Sequence, residues 1–282
     1  MRRMALLALL FVCFSSVILV PSPAQSFNDS NQKVSRSLVL YDDFNGPTIN
    51  PAKWSDFSRL NQGSMEIVRE LAPPYQGEGN NGRLHLMQHA YSWPWNDDGE
   101  TYGYVGFSIA NTAPIKEVSF TLAVNIATAT QCQSDPKNFS STWAGYSGRY
   151  FNYGDGSNPD EDVSANIQLQ RDSTNPTGPL IAVAIVSAGG TQAFFSSQNL
   201  GTVKLGQTAK LRAQWDPPNK QFVFQMNSNP AVSIPYNVLE ATDPHYLFKG
   251  ISIGHGVANC TTQPTGSAMI DVYFDNVYIN PY

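Results

Sequence analysis

Short segments in which apolar and polar residues alternate recur along the chain, and this pattern constrains the fold more than any other feature. The clearest is Glu117–Ala127, where the residues at every second position from Val118 to Ile126 are apolar. A period of two is typical of a half-buried β-strand. Further strands are predicted at 37–44, 82–88, 104–109, 143–152, 162–171, 180–186, 192–196, 208–215, 220–226, 248–254 and 268–280.

The spacing of these segments predicts the fold class. Turn residues separate them at regular intervals, and no segment predicts a helix longer than a turn or two, such as the single turn at Ile49–Trp54. Such a series indicates a two-sheet sandwich or a barrel rather than a parallel α/β sheet. We predict an all-β, two-sheet antiparallel sandwich that forms a single domain over residues 37–282.

The first 24 residues have the features of a secretory signal. Arg2 and Arg3 precede an apolar run, Met4–Val20, and small residues follow up to Ala24. This pattern predicts a signal peptide at 1–24 and then a flexible tail at 25–36. The protein is therefore expected to be exported to the periplasm, the cell surface or the medium. No later segment approaches the roughly 20 apolar residues that a membrane-spanning helix needs.

The net charge limits the kinds of ligand that the protein is expected to bind, and the cysteine content indicates the redox state of its thiols. Without residues 1–24 the chain keeps 15 basic and 22 acidic side chains, a net charge of −7. This disfavours nucleic acid and anionic membranes, and also acidic polysaccharides unless a local basic patch overrides the net charge. Cys132 and Cys260 are the two cysteines left, and an even number in an exported protein predicts a disulfide. The alternative is two unrelated thiols.

The last predicted strand contains a break in its pattern. Ile270, Val272 and Phe274 share one face, but the next apolar positions, Val277 and Ile279, have the opposite parity. Such a slip flips the faces of a strand unless a β-bulge absorbs it, so a bulge is predicted at 275–276. Its acidic residue is expected to be solvated or coordinated.

Two terminal segments resemble a known superfamily. Tyr41–Trp54, with the run Asp-Asp-Phe-Asn-Gly, resembles the opening of laminarinase-like sandwiches, and Val272–Ile279 resembles the final strand of concanavalin A-like lectin and glucanase domains. The resemblance implies a jelly roll that binds ligands on its concave sheet. It also implies one structural calcium ion at Asp43, Gly46 and Asp275. The alternative role for Asp275 is a hydrogen bond that caps the bulge. No other cofactor is indicated.

The catalytic motif of the laminarinase family is missing from this sequence. That family uses an E-x-D-x-E or E-x-D-x-x-E run, because residues at every second position share a strand face and bring the carboxyl groups together. The nearest acidic cluster, Asp155–Asp162, contains glycine and proline and is predicted to be a solvated hairpin tip. The missing motif favours binding over hydrolysis but says little against a lyase.

Several stretches combine flat rings with hydrogen-bonding groups, which is the combination that sugars require. Trp93 and Trp95 lie beside Asp97 and Glu100, a second stretch contains Arg149 and Tyr150, and a polar strand face carries Asn166 and Gln168. We take these eight residues as candidate ligand-binding residues. The alternative is that the aromatic rings fill the core. His255, between two glycines, is predicted to lie in a loop.

Three functions are compatible with these features. The leading hypothesis is an exported, non-catalytic jelly roll that binds a glycan or acts at the cell surface. The second is a polysaccharide-degrading hydrolase or lyase with an unrecognised active site on the concave sheet. The third is a structural surface module. The step from fold to function is analogy here, because one fold serves many functions.

Overall fold

The alternating segments form fifteen β-strands in the computed structural model, which describes residues 37–60, 65–72, 82–92, 100–132, 139–260 and 265–280. These residues belong to a compact unit at Arg36–Tyr282. The segments predicted as a signal peptide and tail, 1–24 and 25–36, lie outside the described residues. The strands are β1 Val39–Asp42, β2 Trp54–Leu60, β3 Met65–Ala72, β4 Arg83–Tyr91, β5 Glu100–Ile109, β6 Glu117–Thr130, β7 Ser141–Asn152, β8 Asp162–Asp172, β9 Leu180–Ala188, β10 Phe194–Val203, β11 Thr208–Asp216, β12 Gln221–Met226, β13 Val232–Pro235, β14 Lys249–Ala258 and β15 Ser267–Ile279.

All strand pairs are antiparallel and they build two sheets. The eight-stranded sheet has the order β13-β12-β11-β6-β15-β4-β3, with β1 added against β15. The seven-stranded sheet has the order β10-β9-β8-β7-β14-β5-β2. The predicted two-sheet antiparallel sandwich is therefore confirmed. The only helical elements among the described residues are three 3₁₀ turns, at Pro159–Glu161, Gly190–Gln192 and Pro217–Asn219. None of the described helices is long and apolar enough to cross a membrane.

The core lies between the two sheets and is filled by every second residue of the central strands. Phe120 and Leu122 on β6 and Phe274 on β15 point inward from the eight-stranded sheet and are at most 1% exposed. Ile251 and Ile253 on β14 belong to the same cluster from the other sheet. This arrangement follows from strand geometry, since successive side chains point to opposite faces.

The two ends of the domain meet, and the predicted bulge is present. β1 pairs with β15, with Asp42 opposite Val277. The register between β15 and β6 shifts between Asp275 and Tyr278. Asn276 absorbs the shift with a φ of 50°, a left-handed conformation that asparagine tolerates better than most residues. The bulge returns Val277 and Ile279 to the core, which explains their parity in the sequence.

A disulfide connects the two sheets, as predicted. Cys132 follows β6 in the eight-stranded sheet and Cys260 follows β14 in the seven-stranded sheet. Their Cα atoms are 5.6 Å apart, a separation typical of disulfides, and both residues are at most 1% exposed. The bridge therefore joins the sheets at one end of the sandwich.

Three local predictions were wrong. Trp54 does not end a helix but begins β2, where it pairs with Ile109, and the residues before it form only a turn. The strands β2, β3 and β13 were not predicted, and all three lie at sheet edges. His255 is not in a loop but in β14, paired with Gly103 and Thr142.

Candidate functional site

Aromatic side chains form a continuous row on the outer face of the seven-stranded sheet. The indole of Trp143 on β7 lies across Gly254 on β14, since a Cβ at Gly254 would be 2.3 Å from the Trp143 ring. It stacks on Tyr102 with ring centroids 5.3 Å apart, and Tyr102 packs edge-on against Tyr104 at 6.0 Å. Offset and edge-on pairs are the favoured aromatic geometries, so these rings hold one another in place.

The row continues toward the edge of the sheet through two phenylalanines. Phe57 on β2 lies 5.8 Å from Tyr104 and 4.8 Å from Phe248, measured between ring centroids. Its ring also reaches toward Gly250, where a Cβ would lie 3.2 Å from it. We call these five half-buried side chains the aromatic border: Trp143, Tyr102, Tyr104, Phe57 and Phe248.

Small residues occupy the centre of this face. Ser252 on β14 pairs with Gly145 on β7, and Ser147 follows two positions along β7. Gly145 has no room for a side chain, because a Cβ there would lie 2.1 Å from the carbonyl oxygen of Ile167. These three residues form a floor that is lower than its surroundings.

Amide side chains line the opposite side of this floor. Asn166, Gln168 and Gln170 alternate on β8 and are half-buried, whereas Ile167 and Leu169 between them are fully buried. Gln168 is the strand partner of Gly145 and its Nε2 donates to Oε1 of Gln170 at 3.0 Å. The polar face predicted for β8 is thus confirmed.

Together the border, floor and amides form a shallow trough. It extends across β5, β14, β7 and β8, which is three strand spacings or about 14 Å. One wall is apolar and aromatic, the other offers amide donors and acceptors, and the floor offers hydroxyl groups. Such a surface can stack against a flat apolar face of a ligand while it hydrogen-bonds to the ligand's polar edge.

Arg149 stands where the trough ends on β7 and is held by a buried carboxylate. Its Nη1 donates to Oδ2 of Asp162 at 2.8 Å. The same carboxylate accepts hydrogen bonds from the Asn152 side chain at 2.9 Å and from the backbone N–H groups of His245 and Tyr246 at 2.6 and 3.1 Å. Burial raises the pKa of Asp162, but these hydrogen bonds outweigh burial and leave it below its usual value. Asp162 is therefore an ionised anchor.

The structure brings three of the candidate ligand-binding residues to the trough. Arg149, Asn166 and Gln168 lie on its end and its amide wall. Tyr150 instead points into the core, where it is 4% exposed and its hydroxyl lies 2.9 Å from that of Tyr146. Burial raises the pKa of Tyr150, so its phenol remains neutral.

The other four candidate residues belong to the stretch at 93–100, which leads into β5. Trp93, Trp95 and Asp97 lie outside the described residues. Glu100 is the first residue of β5 and pairs with Ala258, but its side chain is not among those described.

Sequence reasoning missed the most prominent part of the site, which is the aromatic border on β5 and β2. Tyr102 and Tyr104 are two positions apart, a spacing that places both rings on one strand face. That spacing could have identified them, but the predicted strand began at residue 104 and left Tyr102 outside. Phe57 escaped notice because β2 itself was not predicted.

The predicted calcium residues lie where the chain ends meet. Oδ1 of Asp275 accepts the N–H of Asn276 at 2.7 Å, and Oδ1 of Asp43 accepts the N–H of Asn45 at 3.2 Å. Hydrogen bonds to Asn45 lower the pKa of Asp43. Gly46 lines a pocket of about 330 Å³ together with Asp42, Asp43 and Lys53. No group of three or more His, Cys, Asp or Glu side chains suited to a metal is found among the described residues.

The carboxylate oxygens at this corner are ligands that calcium prefers, but some of them already accept hydrogen bonds from backbone N–H groups. A calcium ion takes six to eight oxygens, many from carbonyls and water, so a site with few carboxylates is compatible with it. The hydrogen bond from Asn276 matches the alternative in which Asp275 caps the bulge.

Comparisons with known proteins identify similar solved structures but no matching family. No protein-family model matches the chain, and no curated protein matches its sequence. Among solved structures, a prokaryotic β-1,3-1,4-glucanase (lichenase) derived from a mouse hindgut metagenome has 9% identity and a TM-score of 0.45, over 86% of this chain and 98% of that one. The catalytic domain of an endo-1,3-β-glucanase (laminarinase) from Thermotoga petrophila RKU-1 has 12% identity and a TM-score of 0.39, over 88% and 100%.

An immunostimulatory antigen and pseudo β-1,3-glucanase of Mycobacterium tuberculosis is a third similar structure. It has 13% identity and a TM-score of 0.39, over 85% of this chain and 98% of that one. Laminarinase-like structures are thus among those similar to this chain. The two-sheet sandwich itself is established by the strand pairing.

Proposed function

We propose that this protein binds carbohydrate in the trough on the outer face of its seven-stranded sheet. The observation that carries the proposal is the pairing of an aromatic border with a parallel column of amides across a floor of serine and glycine. Sugar rings have apolar C–H faces and a polar hydroxyl edge, so an apolar wall opposite a hydrogen-bonding wall matches both. The preformed packing of the rings limits the entropy lost on binding.

Binding is favoured over hydrolysis by a property of the sequence. The E-x-D-x-E run that would place two carboxyl groups on one strand face is missing from all 282 residues. The outward positions of β7 carry Trp143, Gly145, Ser147 and Arg149 instead. A lyase or hydrolase with a different set of catalytic residues remains the second candidate. It would be distinguished from a binding protein by the release of product.

Substitution of Trp143 by alanine is expected to weaken glycan binding by at least about tenfold, because a central aromatic contact commonly contributes a large share of binding energy. Binding would first be detected on a glycan array and then measured by titration calorimetry. Tyr104→Ala should have a similar effect. Phe195→Ala is the matched control, since Phe195 is 57% exposed on edge strand β10, two strands beyond the amide wall on β8.

Assays for new reducing ends and for unsaturated products separate the candidates. Release of either product by the wild-type protein would replace binding with catalysis as the function. Equal affinities for Trp143→Ala, Phe195→Ala and wild type would place the glycan elsewhere. If no glycan binds and no product forms, the result favours a structural surface module.

We propose separately that the corner where the chain ends meet holds one structural calcium ion through Asp43, Gly46 and Asp275. What supports this is the resemblance of both terminal segments and the pairing of β1 with β15, which brings the two segments side by side. Calcium binding to the folded state alone would stabilise it. Chelation is then expected to lower the melting midpoint, and added calcium to restore it. An unchanged midpoint would leave hydrogen-bond capping as the role of Asp275.

A further inference from the structure

The charges on the two outer faces of the sandwich are distributed unequally. Glu66, Glu70 and Asp271 lie on the outer face of the eight-stranded sheet, where Glu70 contacts His85 at 3.0 Å. The trough on the other sheet is different. Its described outward-facing side chains on β5, β7, β8 and β14 carry no carboxyl group. The stretches concerned are Tyr102–Ser108, Trp143–Arg149, Ser164–Gln170 and Gly250–Gly254.

Two arginines lie at opposite ends of this face. Arg59 on β2 is exposed, and its guanidinium lies 5.8 Å from the centre of the Tyr102 ring in the aromatic border. Within the described part of the chain Arg59 has no carboxylate partner. Arg149 lies at the other end, beside the exposed ring of Tyr246 at 5.1 Å.

Arg149 keeps hydrogen-bonding capacity although it is paired with Asp162. Its contacts with Asp162 and with the carbonyl of Pro159 both use Nη1, so Nε and Nη2 have no protein partner among the described residues. Its side chain is 33% exposed, whereas that of Asp162 is 1% exposed. A planar guanidinium with free N–H groups suits a carboxylate or sulfate, which can accept two parallel hydrogen bonds.

Arg149 is also pre-oriented by its partner. Asp162 accepts hydrogen bonds from three other donors, the Asn152 side chain and the N–H groups of His245 and Tyr246. These donors also fix Asp162, which holds Arg149 in place before any ligand arrives. Because Arg149 is partly exposed while Asp162 is buried, this end of the trough presents a fixed guanidinium rather than a carboxylate to a ligand.

We infer that the trough selects glycans carrying anionic groups, carboxylates or sulfates, and that Arg149 and Arg59 recognise these groups at its two ends. This inference rests on the proposed carbohydrate binding and names its ligand class. The aromatic border and amides contact the sugar rings, and the arginines add specificity for charge. Electrostatic contacts of this kind weaken as salt screens them.

Matched oligosaccharides test the inference: a neutral chain, the corresponding uronate chain and a sulfated chain, each titrated into the full-length protein at low and at raised salt. Wild type is expected to bind an anionic chain at least about tenfold more tightly than the neutral one, and less so in raised salt. Arg149→Gln should remove most of that preference, so that the affinities for the anionic and neutral chains become similar. Arg212→Gln is the control, since Arg212 pairs with Glu117 on the other sheet. A comparison of the affinities for the uronate chain and the sulfated chain identifies which anionic group is recognised.

Arg59→Gln keeps the test decisive if Arg149→Gln disturbs the fold through Asp162, because Arg59 has no such partner among the described residues. It too should reduce the preference for anionic chains. Equal binding of neutral and anionic chains, or an equal loss for both in the arginine variants, would overturn the inference while carbohydrate binding stands. If none of the three chains binds, and no glycan on the array binds either, the proposed function is contradicted as well.

Discussion

Removal of the Cys132–Cys260 disulfide is expected to lower the free energy of unfolding by about 4 to 5 kcal/mol. The bridge closes a loop of 128 residues, and a cross-link of that length excludes many extended conformations of the unfolded chain. It also joins β6 and β14, which belong to different sheets, so its loss frees the two layers at one end. The double variant Cys132→Ala, Cys260→Ala and the reduced wild type should both show the loss in denaturant titrations.

The double variant also provides the control for the reductant. Addition of reductant should destabilise the wild type but leave the double variant unchanged, because no bridge remains to be broken. The bridge does not stabilise the fold if reductant leaves the transition midpoint of the wild type unchanged. The same conclusion follows if the double variant is as stable as the oxidised wild type.

The sequence predicted the closing strand well because burial on one face dictates which residues are apolar. Val277 and Ile279 had to return to the core after Phe274, and only an extra residue in the strand allows that. The change of parity in the amino-acid sequence is therefore enough to locate the bulge. Asn276 takes the strained conformation at this step.

The edge strands were missed because only part of each edge strand packs on the core. In β2, Trp54 is buried, but Ser55, Asp56 and Ser58 are exposed, so the pattern has little apolar signal. Trp54 was assigned to a helical turn because Pro51 stands where such a turn would begin. Its ring is instead fixed by Asp42, whose Oδ2 accepts the indole N–H at 2.7 Å.

The trough was only partly predictable, because it depends on register between strands that are far apart in sequence. β5, β7, β8 and β14 contribute residues from Tyr102 to Gly254, and no spacing in the sequence shows that Gly145 lies beside Ser252 and Gln168. One error was avoidable. Arg149 and Tyr150 are consecutive residues of one strand, so they point to opposite faces and cannot both contact a ligand on the same sheet.

His255 is expected to make the fold sensitive to mild acid. It is 1% exposed, points toward the interior between Gly103 and Thr142, and neither ring nitrogen has a hydrogen-bond partner among the described residues. Burial lowers its pKa from 6.5 to about 4.

Between pH 6.5 and 4 the unfolded chain binds a proton at His255 that the folded chain does not, so stability is retained above pH 6.5 and lost as the pH falls toward 4. The full loss amounts to about 3 kcal/mol. His255→Gln removes the titrating group, so its free energy of unfolding, measured with denaturant across this range, should fall far less steeply than that of wild type. Because slopes are compared, a change in the overall stability of the variant does not affect the result. Equal slopes for His255→Gln and wild type would assign the acid sensitivity to other groups.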